Sequence, residues 1–136
     1  MAMTRMRSPQ MRSPLGRAIG LGSAKEGVEH WWRQRMTAVA LVPLVLWFVV
    51  AVIGLVGADR AAMVAWVHNP ISSMLLILLI VATFYHAALG LQVVIEDYVH
   101  AELVKLGLVI IVRLACFALA VAGIFAVLSM AVATSS

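Results

Sequence analysis

A histidine inside an apolar segment is the most informative chemical feature of this sequence. His86 is followed eleven residues later by Asp97 and then by Tyr98. An ionisable side chain at membrane depth is costly and by default marks a functional site. Eleven residues of helix rise about 16 Å and return to nearly the same face. If Asp97 lies at the membrane surface, His86 is close to the bilayer middle, on a face where Gly90 leaves room for a flat macrocycle or another helix.

A neutral imidazole in hydrocarbon needs a partner for its nitrogens, and three interpretations are open. The first is a hydrogen bond to a neighbouring helix without any cofactor. The second is a proton relay, which would require a chain of further ionisable groups at mid-depth. The third is an axial ligand of haem iron, which histidine commonly supplies. A side chain already satisfied within the three-helix interior would exclude the third interpretation.

The other histidines do not complete a haem site within this chain. His30 and His100 lie near the predicted inner surface, and His68 lies in the loop on the other side. A haem with two histidine ligands needs one from each side of its ring. The second ligand would therefore come from another polypeptide, and the haem interpretation predicts an obligate complex.

Two acids and a tyrosine end the same segment. Glu96 and Asp97 would lie at the C-terminal end of a helix, where the helix dipole disfavours negative charge. Arg35, at the start of the first apolar run, is predicted to pair with Asp97, although both acids could simply reach water. Tyr98 is either an aromatic of the membrane–water interface or a phenol that donates to a polar headgroup such as a quinone carbonyl.

The composition identifies the class of protein. The chain has 136 residues, of which 64% are hydrophobic and only 12% charged. A soluble domain of this length has far more charged residues at its surface. We therefore predict an integral membrane protein in a lipid bilayer, and its net charge of +4 is interpreted as membrane topology rather than as nucleic-acid binding. Its single cysteine, Cys116, cannot form an internal disulfide.

The apolar residues fall into runs long enough to cross a bilayer, which takes about 20 residues of helix. The predicted fold is all-α, with a flexible basic tail and a three-helix transmembrane domain. The tail is predicted at 1–27 and the domain at 28–133, with helices at about 36–57, 71–95 and 106–132.

Cations indicate the orientation. Seven of the ten Lys and Arg residues precede the first predicted helix. Positive charge favours the cytoplasmic side, so the N-terminus is predicted inside, together with the connection from Glu96 to Lys105. Residues 61–70 are predicted to lie at the opposite interface as a short helix. Arg113, inside the third helix, either snorkels to the inner surface or pairs with an acid or a propionate.

One motif resembles a known family. The pattern His86-x₃-Gly90-x₆-Asp97-Tyr98-Val99 is similar to the second-helix signature of the succinate dehydrogenase hydrophobic membrane anchor subunits. These are the smaller of the two anchor subunits of succinate:quinone oxidoreductase, respiratory complex II. The match includes the eleven-residue step from the histidine to the Asp-Tyr pair.

Two further features extend the resemblance. Arg35-x-Thr37-Ala38 resembles the Arg-x-Thr/Ser segment at the entry to the family's first helix. The layout of three spans with the N-terminus inside is also the same. Together these features cover roughly residues 28–130.

The resemblance implies the chemistry of the complex and the role of each matching residue. Succinate would be oxidised on a flavoprotein subunit, and an iron–sulfur subunit would pass the electrons to ubiquinone where it meets the anchors. Haem b would lie between this chain and a second membrane anchor subunit similar to cytochrome b556. By position, His86 would be the axial ligand of the haem iron. Tyr98 would hydrogen-bond the quinone with Asp97 in support, and Arg35 would lie near the haem propionates or the quinone.

The sequence therefore predicts a non-catalytic membrane anchor subunit of succinate dehydrogenase, active in electron transport and the tricarboxylic acid cycle. It is predicted as a multi-pass protein of the bacterial inner membrane in preference to the mitochondrial inner membrane, with no nucleic-acid partner. The alternative is a small structural or transport membrane protein without a cofactor, in which His86 only bonds a neighbouring helix.

Overall fold

A computed structural model shows a helical chain. The structure describes residues 23–132, with side chains from Gly27 onward. The chain divides into two compact units, Met1–Trp32 and Arg33–Ser136. The described residues form helices and no strand, which confirms the predicted all-α class. The four helices are α1, α2, α3 and α4, which span Ser23–Gly54, Arg60–His68, Pro70–Tyr98 and Glu102–Val132.

Three of these helices are long and apolar enough to cross a membrane. The candidate spans are Gly27–Gly54, Pro70–Tyr98 and Glu102–Val132. The prediction of three transmembrane helices is confirmed, and the chain is a multi-pass membrane protein. The side on which the N-terminus lies stays a prediction, and most of the predicted basic tail lies outside the described residues.

The first span begins earlier than the sequence predicted. Helix α1 is already formed at Ser23, not at about residue 36, and it includes Trp31 and Trp32, whose ring centroids lie 6.1 Å apart. Tryptophan and arginine favour the membrane–water interface whether or not a helix continues through it. A helix can continue through the headgroup layer, because its backbone hydrogen bonds are internal.

The connection between the last two spans is shorter than predicted. Helix α3 continues to Tyr98, and α4 begins at Glu102 rather than at about 106. Lys105 Nζ donates to Glu102 Oε1 at 3.3 Å, and this i,i+3 pair supports the first turn of α4. The polar residues are therefore helical, and only residues 99–101 connect the two spans.

Capping residues define the connection between the first two spans. Gly57 has a φ of +80°, a left-handed conformation that glycine adopts without a steric penalty. Asp59 Oδ1 accepts from the backbone N–H of Ala62 at 2.8 Å, and Asn69 Oδ1 accepts from that of Ile71 at 2.9 Å. Such caps satisfy N–H groups that have no partner within the helix. The predicted short helix is confirmed, and Asn69 alone separates it from α3.

Helix packing in the unit from Arg33 onward depends on small and aromatic residues. A Cβ added at Gly123 of α4 would lie 3.2 Å from Ile80 Cγ2 of α3, so these helices approach closely there. The indole of Trp47 in α1 stacks on that of Trp66 in α2, with centroids 5.8 Å apart and planes inclined by 21°. The first contact joins two transmembrane helices, and the second joins the short helix α2 to the first span.

The described residues enclose almost no interior. Among them only Leu89 and Ser72 are buried, at 6% and 9% exposure. Large side chains such as Phe117 and Phe125 point outward. Apolar surface on this scale indicates contact with lipid or another subunit.

Candidate functional site

His86 lies near the middle of α3 and is partly buried. Its Nδ1 is 2.9 Å from Oγ1 of Thr37 in α1. The expected hydrogen bond to a neighbouring helix is therefore present. It involves only one of the two ring nitrogens.

The Thr37 hydroxyl is also held by its own helix. Its Oγ1 lies 3.0 Å from the carbonyl oxygen of Arg33 and 3.0 Å from that of Gln34. A threonine hydroxyl has one proton and two acceptor lone pairs. It can therefore donate to a backbone carbonyl and accept from the imidazole at the same time.

The second ring nitrogen of His86 has no partner within the described chain. Nε2 makes no hydrogen bond to the described residues. These residues also do not enclose it. The condition that would have excluded a haem ligand is therefore not met, because the side chain is only half satisfied. One bonded and one accessible nitrogen is the arrangement of a histidine that ligates a metal.

A second contact establishes how α1 lies against α3. A Cβ added at Gly90 would lie 3.7 Å from Gln34 Nε2. Gly90, on the His86 face of α3, thus leaves room for α1 to approach. Together with the contact between Thr37 and His86, it defines an antiparallel register for the two helices.

This register changes the expected position of Arg35. It places Arg35 level with residues 88–89 of α3, whereas Asp97 lies about 13 Å further along that helix. The register therefore argues against the predicted ion pair between Arg35 and Asp97. Arg35 therefore lies closer to the level of His86 along α3 than the sequence predicted.

The C-terminal end of α3 presents Asp97 and Tyr98 on the surface of the chain. Tyr98 is 79% exposed, and Asp97 is also exposed. Their neighbour Glu96 accepts a hydrogen bond at Oε1 from Gln92 Nε2 at 2.7 Å. The phenol and one carboxylate thus remain accessible to a partner, and the role of Tyr98 in quinone binding stays a prediction.

Arg113 faces α3 within the membrane span. Its Nη2 donates to Gln92 Oε1 at 2.6 Å, and the Gln92 amide in turn donates to Glu96. This contact joins Arg113 to a neutral amide rather than to an acid, so both predicted roles of Arg113 stay predictions. Gln92 was not predicted from the sequence, although an amide four residues before Glu96 forms a recognisable helical pair with it.

A groove of about 470 Å³ runs between α3 and α4. Its walls are mainly apolar and include Tyr85 and Cys116, with Arg33 and Arg113 also contributing. Several of the α3 residues that line it, such as Phe84 and Ala88, lie on the side of the helix opposite His86, by the 3.6-residue period. The groove and His86 therefore occupy largely different sides of α3.

Comparison with known proteins identifies the family. The model of the succinate dehydrogenase/fumarate reductase transmembrane subunit matches residues 9–134, which is nearly the whole chain. The chain belongs to this family. The resemblance drawn from the histidine and Asp-Tyr motif is confirmed.

Individual members of the family show similarity over most of the chain. A succinate dehydrogenase hydrophobic membrane anchor subunit of Rickettsia bellii is 36% identical over 116 residues, which cover 85% of this chain and 93% of the relative. The subunit of the same name from Paracoccus denitrificans is 31% identical, over 63% of this chain and 67% of its own. A succinate dehydrogenase membrane anchor subunit of Reclinomonas americana is 32% identical, over 65% and 77%.

These matches confirm the prediction of a succinate dehydrogenase membrane anchor subunit, which is a non-catalytic component of its complex. Family membership also implies that the chain works with other subunits in a membrane. The roles of the individual side chains depend on the geometry around His86 and Tyr98.

Proposed function

We propose that this chain anchors a succinate dehydrogenase in a bacterial inner membrane and contributes to two cofactor sites. His86 is one axial ligand of a b-type haem shared with a second membrane anchor subunit, which supplies the other histidine. Tyr98 and Asp97 form part of the ubiquinone site, next to the iron–sulfur subunit. The flavoprotein subunit oxidises succinate.

The observation that supports the haem ligand is the half-satisfied imidazole of His86. Its Nδ1 bonds Thr37, while Nε2 is accessible and makes no bond in the described chain. An unpaired ring nitrogen in hydrocarbon is costly. A histidine that only joined two helices would carry this penalty, whereas coordination of iron by Nε2 removes it.

Arg35 is suited to the acidic groups of the same cofactor. The register places it level with residues 88–89, close to the depth of His86. A guanidinium can bind a carboxylate through two parallel hydrogen bonds, which suits a haem propionate. The haem supplies one-electron chemistry when it is bound, and this chain holds it through His86 and balances its charge through Arg35.

The proposed quinone contact lies at a different level of the same helix. Tyr98 is twelve residues beyond His86, which corresponds to about 18 Å of helix. Its phenol is exposed at the end of α3, where it can donate a hydrogen bond to a quinone carbonyl. Asp97 is exposed beside it in sequence and can accept a hydrogen bond or a proton.

The haem assignment is tested by His86→Ala in the assembled complex. The b-type optical band of the purified complex should disappear, while oxidation of succinate with an artificial electron acceptor continues. His68→Ala is the matched control, because this exposed histidine at the end of α2 should leave the band intact. An unchanged spectrum in His86→Ala would refute the assignment and favour the cofactor-free structural or transport alternative.

The quinone assignment is tested by Tyr98→Phe, which removes only the hydroxyl. Quinone reduction should fall, while succinate oxidation by an artificial acceptor stays normal. Tyr85→Phe is the control, because Tyr85 lies in the groove between α3 and α4. Equal loss of both activities would indicate an assembly defect and contradict the proposed contact.

A further inference from the structure

We propose that Thr37 is a positioning residue that fixes the tautomer of His86 and thereby directs the Nε2 lone pair toward the metal. This inference rests on the proposed function, because it concerns the same imidazole. A threonine that only joined α1 to α3 would not need to control which ring nitrogen of His86 carries the proton.

Proton counting around Thr37 supports the assignment. Its hydroxyl proton has two backbone acceptors, the carbonyl oxygens of Arg33 and Gln34, each 3.0 Å away. Threonine in a helix commonly donates back to the preceding turn in this way. With that proton used, Oγ1 can only accept from His86 Nδ1, which lies 2.9 Å away.

The tautomer follows from this arrangement. If Nδ1 carries the proton and donates it to Thr37, Nε2 of the neutral imidazole carries the lone pair. Iron coordination requires a deprotonated nitrogen. In the opposite tautomer, Nε2–H would have no acceptor in the described chain. The hydroxyl thus selects the form of His86 that can ligate a metal.

The same hydrogen bond also affects a ligand after it has bound. A partner on the distal N–H of a ligating histidine fixes the ring orientation and raises the basicity of the ligand. A more basic imidazole stabilises ferric over ferrous iron. Without Thr37 Oγ1, Nδ1–H would lack an acceptor in a low-dielectric environment, where an unpaired donor is costly.

The experiment compares three variants of Thr37 in the assembled complex. Thr37→Val removes the hydroxyl at nearly constant volume, Thr37→Ala removes it with less bulk, and Thr37→Ser retains it. Thr83→Val is the matched control, because this exposed threonine on α3 makes no hydrogen bond to His86. The measurements are haem content, the ferric low-spin resonance spectrum and the haem midpoint potential.

We expect the valine and alanine variants to have a raised midpoint potential and an altered resonance spectrum, or to lose haem. For retained haem, one neutral hydrogen bond changes the ferric-to-ferrous ratio on the order of fivefold, which is about 40 mV for a one-electron couple. The serine variant and Thr83→Val should match the wild type. Haem loss in both hydroxyl-free variants, with normal serine behaviour and normal succinate oxidation, also supports the proposal.

Two results would overturn the inference. One is a wild-type potential and spectrum in Thr37→Val or Thr37→Ala. The other is a serine variant as defective as the valine variant, since the hydroxyl would then not be the relevant group. Failure of the haem assignment itself is recognised separately, because His86→Ala would then keep the optical band. Loss of that band in His86→Ala with an unchanged Thr37→Val would reject only the role of Thr37.

Discussion

Replacement of Gly123 by alanine is a direct test of the contact between α3 and α4. A Cβ at this position would lie 3.2 Å from Ile80 Cγ2 and 3.3 Å from Ile80 Cδ1. The Cδ1 methyl can rotate away, but Cγ2 is attached to a β-branched carbon whose χ1 is restricted in a helix. The two helices must therefore separate by a few tenths of an ångström.

The expected cost can be separated from helix propensity with a second glycine. A Cβ at Gly107 would meet nothing within 4 Å, although Gly107 lies on the same helix. Alanine is favoured over glycine in a helix by about 1 kcal/mol, and this term is common to both substitutions. The difference between Gly123→Ala and Gly107→Ala should therefore be the overpacking cost, about 1–3 kcal/mol.

The measurement is the apparent unfolding temperature of the detergent-solubilised complex at one fixed scan rate, because membrane complexes commonly unfold irreversibly. Gly123→Ala should unfold at a temperature several degrees below that of Gly107→Ala. In an Ile80→Ala background, where the clashing methyl groups are absent, this difference in unfolding temperature should disappear. If Gly123→Ala were as stable as Gly107→Ala, the close approach of α3 and α4 would be wrong.

Two smaller effects can be measured in the same assay. Gln92→Leu removes the acceptor of Arg113 and should destabilise the complex by about 1 kcal/mol or less, because the exposed guanidinium can move toward water. Glu96→Gln keeps a side-chain oxygen for Gln92 and should be nearly neutral. Equal effects of the two variants would refute the hydrogen-bonded chain from Arg113 through Gln92 to Glu96. Asn69→Ala removes the cap of α3 and should lower stability by about 1 kcal/mol. Asn69→Asp retains an oxygen acceptor and should be as stable as the wild type. An aspartate variant as unstable as the alanine variant would contradict the capping role.

The sequence was sufficient to predict the three spans and the short helix between the first two. Hydropathy decides which segments enter a bilayer, and charge and Asn-Pro chemistry decide where they stop. It was less informative about helix ends. Trp31 and Trp32 favour the interface whether or not the helix continues through it, so the beginning of α1 was placed too late.

The sequence predicted only part of the candidate site, because the rest depends on how the helices pack. Family motif and depth both pointed to His86, but its bond to Thr37 depends on the register of α1 against α3. A register is set by the packing of two helices and is not encoded in either one alone. The same register places Arg35 nearer the level of His86 along α3, whereas the sequence predicted it opposite Asp97.

The scarcity of enclosed side chains has a practical consequence for anyone who purifies this chain. Only Leu89 and Ser72 are buried among the described residues, so hardly any of its apolar surface is protected by the chain itself. Detergent molecules or foreign lipids will occupy whatever surface the natural neighbours leave. A small, harsh detergent therefore competes directly with the helix contacts, much as urea competes with the core of a soluble protein.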